Sequence, residues 1–257
     1  MADMPKIRVR GLRKSFGAKH VLDGVDLDVA AGSTTVVIGA SGSGKSVLLK
    51  CILGLMVPDS GTIEIDGRDI LALSTTERDQ VRSGIGMLFQ NGALFDSLPV
   101  WENVTFGLLA QRTVTRRAAR GRAGEFLAQV GLEENVGDLY PAELSGGMQK
   151  RVALARAIAA KPAIMFFDEP TTGLDPIMGA VIDGLIVDCV RRLGGTAIAI
   201  THDMASARRI GDTIAMLLGG RIIWSGPPSA LLDSANPAVD QFTHGRREGP
   251  IQMELRR

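Results

Sequence analysis

A chain of 257 residues, 45% of them hydrophobic and 22% charged, has the ordinary composition of a globular protein able to bury a large core. Its formal net charge of +1 excludes a global field that would hold it to nucleic acid or anionic lipid, so no nucleic-acid partner is expected. The longest apolar stretch, residues 47–57, is broken by Lys50 and falls short of the roughly 20 residues that cross a bilayer.

The first residues, Met1-Ala2-Asp3-Met4-Pro5-Lys6, carry no apolar stretch behind their charges and do not form a secretory signal. Ile7, Val9 and Leu12 lead to Phe16-Gly17, and residues 21–29 then set Leu22, Val25, Leu27 and Val29 against Asp and Gly. That alternation predicts half-buried strands, with more strand at 61–66 before an Asp66-Gly67 turn, so the opening is expected to be a small antiparallel sheet. Three continuous apolar runs at 35–38, 163–167 and 196–200 each precede a polar or Gly-rich turn and a helical pattern. They predict an α/β core whose buried parallel strands carry the site at their carboxyl ends.

Between residues 90 and 162 the pattern turns helical, clearest at 116–130 and 148–160, closed by Gly131 and by Lys161-Pro162. A helical subdomain of about residues 91–161 is therefore expected inside one domain spanning 1–236. A further helix at 177–193 stops at Gly194-Gly195, and a hairpin at 213–218 and 221–225 turns at Gly219-Gly220. The remaining tail, 237–257, is polar and rich in Gly and Arg, and is expected either to fray or to dock on something else. Cys51 and Cys189, far apart and among apolar neighbours, are expected to be buried free thiols in a reducing compartment, which suggests the cytosol.

Five features carry chemistry. Gly39-Ala40-Ser41-Gly42-Ser43-Gly44-Lys45-Ser46 fits the phosphate-binding P-loop, and it stands between a buried strand and an apolar helix as that loop requires. Its glycines would let successive N–H groups turn toward phosphate, with Lys45 on the β- and γ-phosphates and Ser46 giving its hydroxyl to Mg²⁺. Val47, next in the helix, is counted with that cradle.

The apolar strand Ile164-Met165-Phe166-Phe167 ends in Asp168-Glu169. Asp168 is expected to hold Mg²⁺ and Glu169 to accept a proton from the attacking water; the bland alternative is acids that end a strand and cap a helix. His202, at the end of the third core strand, could donate to the γ-phosphate, whereas His20 and His244 lack such a context. Gln90, after strand 85–89, could touch the metal or the water where the helical insertion begins.

Leu144-Ser145-Gly146-Gly147 opens a strongly patterned helix, with Ser145 as N-cap and two glycines leaving amide protons exposed. Such an end is either a second anion site, filled by the γ-phosphate of an ATP held by another copy, or a plain cap with glycines for close packing.

Taken in order, the P-loop, Gln90, Leu144 to Gly147, Asp168-Glu169-Pro170, Gly173-Leu174-Asp175 and His202 resemble the ABC (ATP-binding cassette) ATPase family over residues 7–226. The resemblance implies a P-loop NTPase core, Mg-ATP hydrolysis and a homodimer closing on two ATP molecules. It further implies that Phe16 stacks on adenine, that Ser145, Gly146 and Gly147 bind the partner's γ-phosphate, and that Asp175 lies in the loop linking the two sites. Phe16 keeps an alternative as a core residue of an edge strand, and Met148 stands where the family most often has Gln.

Within the family, residues 91–104, 168–179 and 241–251 are similar to the ATPase of Mla-type phospholipid transporters. That implies a bacterial chain on the cytoplasmic face of the inner membrane, with integral permease subunits and a membrane-tethered lipid-binding protein as partners. Apolar residues near Leu94, Phe95, Val100 and Trp101 would grip a cytoplasmic helix of the permease; the alternative for several of them is a local core of the subdomain. An importer subunit for polar solutes and a soluble ABC ATPase assembly factor are the alternatives.

Overall fold

The computed structural model describes residues 4–252, which fall into two compact units: residues up to 72 together with those from 200 onward, and residues 73–199. In chain order the first unit contributes β1 (Ile7–Phe16), β2 (Lys19–Val29), β3 (Thr34–Ile38), α1 (Lys45–Ile52), β4 (Ser60–Ile65) and β5 (Arg68–Asp69). The second holds α2 (Thr75–Ser83), β6 (Ile85–Leu88), α3 (Val100–Ala110), α4 (Arg116–Gln129), α5 (Gly146–Ile158), β7 (Ile164–Asp168), α6 (Pro176–Leu193) and most of β8 (Thr196–Thr201). The chain then returns to the first unit through α7 (Met204–Ile210), β9 (Thr213–Leu218), β10 (Arg221–Gly226) and α8 (Pro237–His244).

In the first unit, β2-β1-β4-β5 form the expected antiparallel sheet. Ile7, Val9 and Leu12 all bury one face although 12 is out of phase with 7 and 9. The extra residue is taken up by a bulge at Gly11, whose left-handed φ of 55° breaks the register before Leu12. Strand β3 pairs in parallel with β9, and β9 in antiparallel with β10. Every residue of β3 is buried, which explains its unbroken apolar run.

In the second unit, β6 pairs in parallel with β7, and β8 follows α6 with all its residues buried. Helix α6 begins where Asp175 caps it and Pro176 fits the first turn, and stops at the left-handed Gly194. Helix α5 contributes Val152, Ala153, Leu154, Ala155 and Ile158 to the core. Helix α3 buries Val100 and Trp101, and Ala119 and Ala123 of α4 pack on that indole. Of the two readings of these apolar residues, Val100 and Trp101 follow the local-core one, whereas Phe95 (43% exposed) and Phe106 (40%) form an exposed ring pair, centroids 4.5 Å apart.

Both cysteines are buried and free, and burial pushes the Cys51 thiol up to about 11. The tail departs from the sequence expectation. Residues 237–244 form α8, capped by Asn236 and burying Val239 and Ala238. The chain then folds back on that helix through Gln241, which donates to Arg246 O (3.3 Å) and Ile251 O (3.0 Å) and accepts from Ile251 N (2.7 Å). Residues 253–257 lie outside the described part of the chain.

Candidate functional site

In the first unit the residues of the sequence-predicted P-loop form the turn between β3 and α1. A Cβ on Gly39 would stand 2.4 Å from Leu217 O, and one on Gly44 2.9 Å from Val21 O, so both positions are restricted to glycine by close backbone approach. Gly44 caps α1 in a left-handed conformation with no side-chain cap, so the amides of the first turn face outward without competition. Lys45 is 7% exposed and curls into the loop, donating to Gly39 O (2.7 Å) and Ala40 O (3.1 Å). The Ser43 hydroxyl is buried with no hydrogen-bond partner among the described residues, a group that a phosphate oxygen would satisfy. Ser41, Gly42 and Ser46 are exposed along the rim, and Val47 is half-buried behind it.

Two other residues of this unit were expected at the site. Phe16 ends β1 with 48% of its surface exposed and Lys14 Nζ 5.7 Å from its ring centre, which removes the core-packing alternative. His202 is exposed immediately after the last residue of β8, next to Asp203, which caps α7.

The second unit brings together Gln90, the Ser145 turn and Glu169. Asp168 is the last residue of β7, and Glu169 follows it in a left-handed conformation, φ 48°, unusual for a residue with a Cβ. Glu169 is 9% exposed; Thr172 donates its hydroxyl to the carboxylate (3.1 Å) and its N–H to the Glu169 carbonyl (3.3 Å). Gln90 lies two residues past the end of β6, with its side chain exposed.

Ser145 caps α5 as the sequence predicts, accepting from Met148 N at 3.3 Å. Ser145 and Gly146 are exposed, while a Cβ on Gly147 would press to 3.1 Å on the Met178 side chain of α6. The two readings of these glycines therefore divide by position: Gly146 keeps amide protons accessible, and Gly147 permits close helix packing. Gln149 fastens the preceding turn by donating to Pro141 O (2.9 Å) and Leu144 O (3.3 Å). Asp175 accepts from Ile177 N and Met178 N, both at 3.0 Å. A cavity of about 160 Å³ is lined by Gln90, Asn91, Gly146 and Lys150 on one side and by Thr172 and Leu174 on the other.

Lys150 and Thr172 escaped the sequence reading. Lys150 is 6% exposed and donates to the Gln90 carbonyl, with Glu169 O at 3.5 Å. Burial pulls its ammonium below the ordinary lysine value, and the carboxylates of Asp168 and Glu169 push it back up. The available signal was a lysine on the same helical face as Ala153, Leu154 and Ala157, a face otherwise apolar. Among the described residues no group of three or more His, Cys, Asp or Glu is arranged to hold a metal. A magnesium ion, which keeps several waters and binds substrate phosphates, needs no such cage.

Comparison with known proteins agrees with this geometry. The family model described as "ABC transporter" matches residues 22–172. The probable ribonucleotide transport ATP-binding protein mkl of Mycobacterium leprae is 42% identical over 249 residues, 96% of this chain and 71% of that one. The intermembrane phospholipid transport system ATP-binding protein MlaF of Haemophilus influenzae is 39% identical over 248 residues, 96% of this chain and 94% of that one. Among solved structures, the dimeric post-hydrolysis state of the ATP-binding cassette MJ0796 bound to ADP and Pi superposes with a TM-score of 0.79. It is 33% identical and covers 86% of this chain and 98% of that one. The chain belongs to the ABC transporter family and is one of its Mg-ATP-hydrolysing ATP-binding subunits.

Proposed function

We propose that the chain powers phospholipid transport through a separate permease, hydrolysing ATP as a homodimer on the cytoplasmic face of a bacterial inner membrane. The observation that carries the lipid reading is the match to MlaF, which extends over 94% of that relative's length and takes in the tail as well as the motifs. No described helix is long and apolar enough to cross a membrane, so a transport path would be supplied by the partner.

Lys45, Ser43 and the uncapped amides of α1 hold the triphosphate, and Phe16 offers a ring face to the adenine. Ser46, Asp168 and Gln90 are the side chains that would hold magnesium, which would supply positive charge to offset that of the triphosphate. Glu169 takes the proton from the attacking water while His202 donates to the γ-phosphate. The open amides at Ser145 and Gly146 receive the γ-phosphate of the partner copy's ATP, which makes the dimer depend on unhydrolysed nucleotide; Gly147 and Asp175 support that contact. Phe95 and Phe106 supply the apolar contact for a cytoplasmic helix of the permease. A membrane-tethered lipid-binding protein completes the assembly.

The mkl relative's name favours a second reading, transport of a polar nucleotide-like solute. Isolation of the native complex from membrane extract, followed by subunit and lipid identification, separates them. Co-purified permease with bound phospholipid is expected; a complex that carries no lipid and stimulates ATPase only with a polar solute defeats the lipid reading. For the chemistry, Glu169→Gln is expected to bind ATP, accumulate as a dimer and lose turnover, and unaltered turnover rules out Glu169 as the base.

A further inference from the structure

The second unit contains a device that neither the P-loop nor the acidic pair explains. Glu169 occupies a left-handed conformation, which is strained for a residue with a Cβ. Such a conformation persists only where the surroundings hold it. Thr172 bonds both ends of Glu169, and the remaining approach to its carbonyl is made by the Lys150 ammonium, 3.5 Å away. The same ammonium donates to the carbonyl of Gln90, sixty positions earlier in the chain.

A second cation of α5 repeats this pattern. Arg156 donates to Gly92 O (2.5 Å) and Ala93 O (2.7 Å), and burial pulls its guanidinium below the ordinary arginine value. Ala93 is itself left-handed, φ 49°, and Gly92 is buried with Ala153 Cβ 3.5 Å from its would-be Cβ. The segment after Gln90 is thus bonded to α5 at three carbonyls, rather than being a slack hinge. Taking an ammonium and part of a guanidinium out of water is costly if nothing compensates, a cost that plain packing of α5 with leucine or methionine would avoid. The carbonyl oxygens they meet are negative ends of dipoles but carry no full charge, so these contacts serve position better than stability.

We propose that Lys150 is a positioning residue for ATP hydrolysis, tying the backbone of Gln90 and of Glu169 to α5, the helix whose first turn carries Ser145 and Gly146. The consequence is coupling. A displacement of Gln90 shifts the carbonyl of the catalytic glutamate and the anion-binding turn together, because one side chain from α5 spans all three. Lys150 acts through its two carbonyl partners, the backbone oxygens of Gln90 and of Glu169. This inference rests on the assignment of Glu169 as the base, so its test carries that residue in parallel.

The full-length chain is compared with Lys150→Met, Lys150→Arg and Glu169→Gln by steady-state ATPase, ATP binding and thermal melting. Methionine keeps the length and apolar stem of the side chain and removes the charge. Lys150→Met is expected to lower kcat by about tenfold or more, the range seen when outer-shell partners of a site are removed. KM and ATP affinity are expected to stay within about twofold, and Lys150→Arg to recover most of the rate. Introduced into Glu169→Gln, the methionine change is expected to leave the ATP-bound dimer formed, since the Ser145 turn keeps its own amides.

Near-parental kcat in Lys150→Met beside an inactive Glu169→Gln overturns the inference alone. Parental turnover in Glu169→Gln overturns the base assignment and the inference with it. A Lys150→Met that loses rate only in proportion to lost folded protein, with no rescue by arginine, assigns Lys150 to packing and also overturns it.

Discussion

Replacing Asn103 with alanine probes the loop that presents Phe95. Asn103 is fully buried in the first turn of α3, and its amide closes on the chain that precedes it. Oδ1 accepts from Phe95 N at 2.8 Å, while Nδ2 donates to Phe95 O (3.0 Å), Leu98 O (2.9 Å) and Pro99 O (3.3 Å). Three of these have ordinary hydrogen-bond lengths. At about 1 kcal/mol net each, the loss should be about 3 kcal/mol, and any desolvation penalty of the abandoned backbone groups would add to it. For a chain of this size that corresponds to a melting point lowered by roughly 6–12 °C.

Urea denaturation and thermal circular dichroism on nucleotide-free protein would measure it. Asn103→Asp adds a signed control. A carboxyl facing three carbonyl oxygens has its folded pKa raised, so the folded state binds more protons than the unfolded one between the two values, and stability falls as pH rises. The aspartate variant should therefore be more stable at pH 5 than at pH 7 relative to the parent. An alanine variant that loses less than about 1 kcal/mol would mean that water replaces the amide and that the loop is held by other contacts.

Two further outcomes follow from the first unit. In Gly39→Ala the new methyl would meet Leu217 O at 2.4 Å and Ser43 Oγ at 2.9 Å. Strain of this kind costs about 1–3 kcal/mol and displaces the P-loop, so equilibrium binding should show ATP affinity reduced by tenfold or more; unchanged affinity would refute the cradle geometry. Asp59 accepts from Lys14 Nζ (2.9 Å) and Ser15 N (2.6 Å), and the Lys14 hydrogen bond, then the Ser15 amide, holds its carboxyl below the usual range. Its folded pKa being the lower one, its contribution is complete above the unfolded value of about 3.9 and disappears as pH falls through the folded value. The difference in urea midpoint between the parent and Asp59→Asn should accordingly shrink from pH 7 toward pH 3.

The strands that carry the site were legible because burial on both faces leaves an unbroken apolar run, as in Thr34–Ile38, Ile164–Asp168 and Thr196–Thr201. Ser145 was legible as a cap because a capping side chain bonds a residue two or three places away; Asp175, expected only in a linking loop, caps α6 in the same way. The sequence left open whether Val100 and Trp101 meet a permease or their own subdomain, since apolar character shows that a residue will be covered and not whether its own chain or a partner does it. Lys150 was illegible for a related reason: its acceptor lies sixty residues upstream, and spacing along one helix carries no information about a carbonyl on another segment. The tail was half legible, its polarity plain but its return onto α8 dependent on one amide.

That amide gives the C-terminus an unusual vulnerability. Gly249 is packed so tightly that a Cβ there would stand 2.4 Å from Gln241 Oε1, so the returning strap and the glutamine interlock. Deamidation of Gln241 would exchange two donated bonds for repulsion between a carboxylate and two carbonyl oxygens. A stored preparation ageing in this way would loosen the strap of residues 245–251 with no cleavage and no change in chain length.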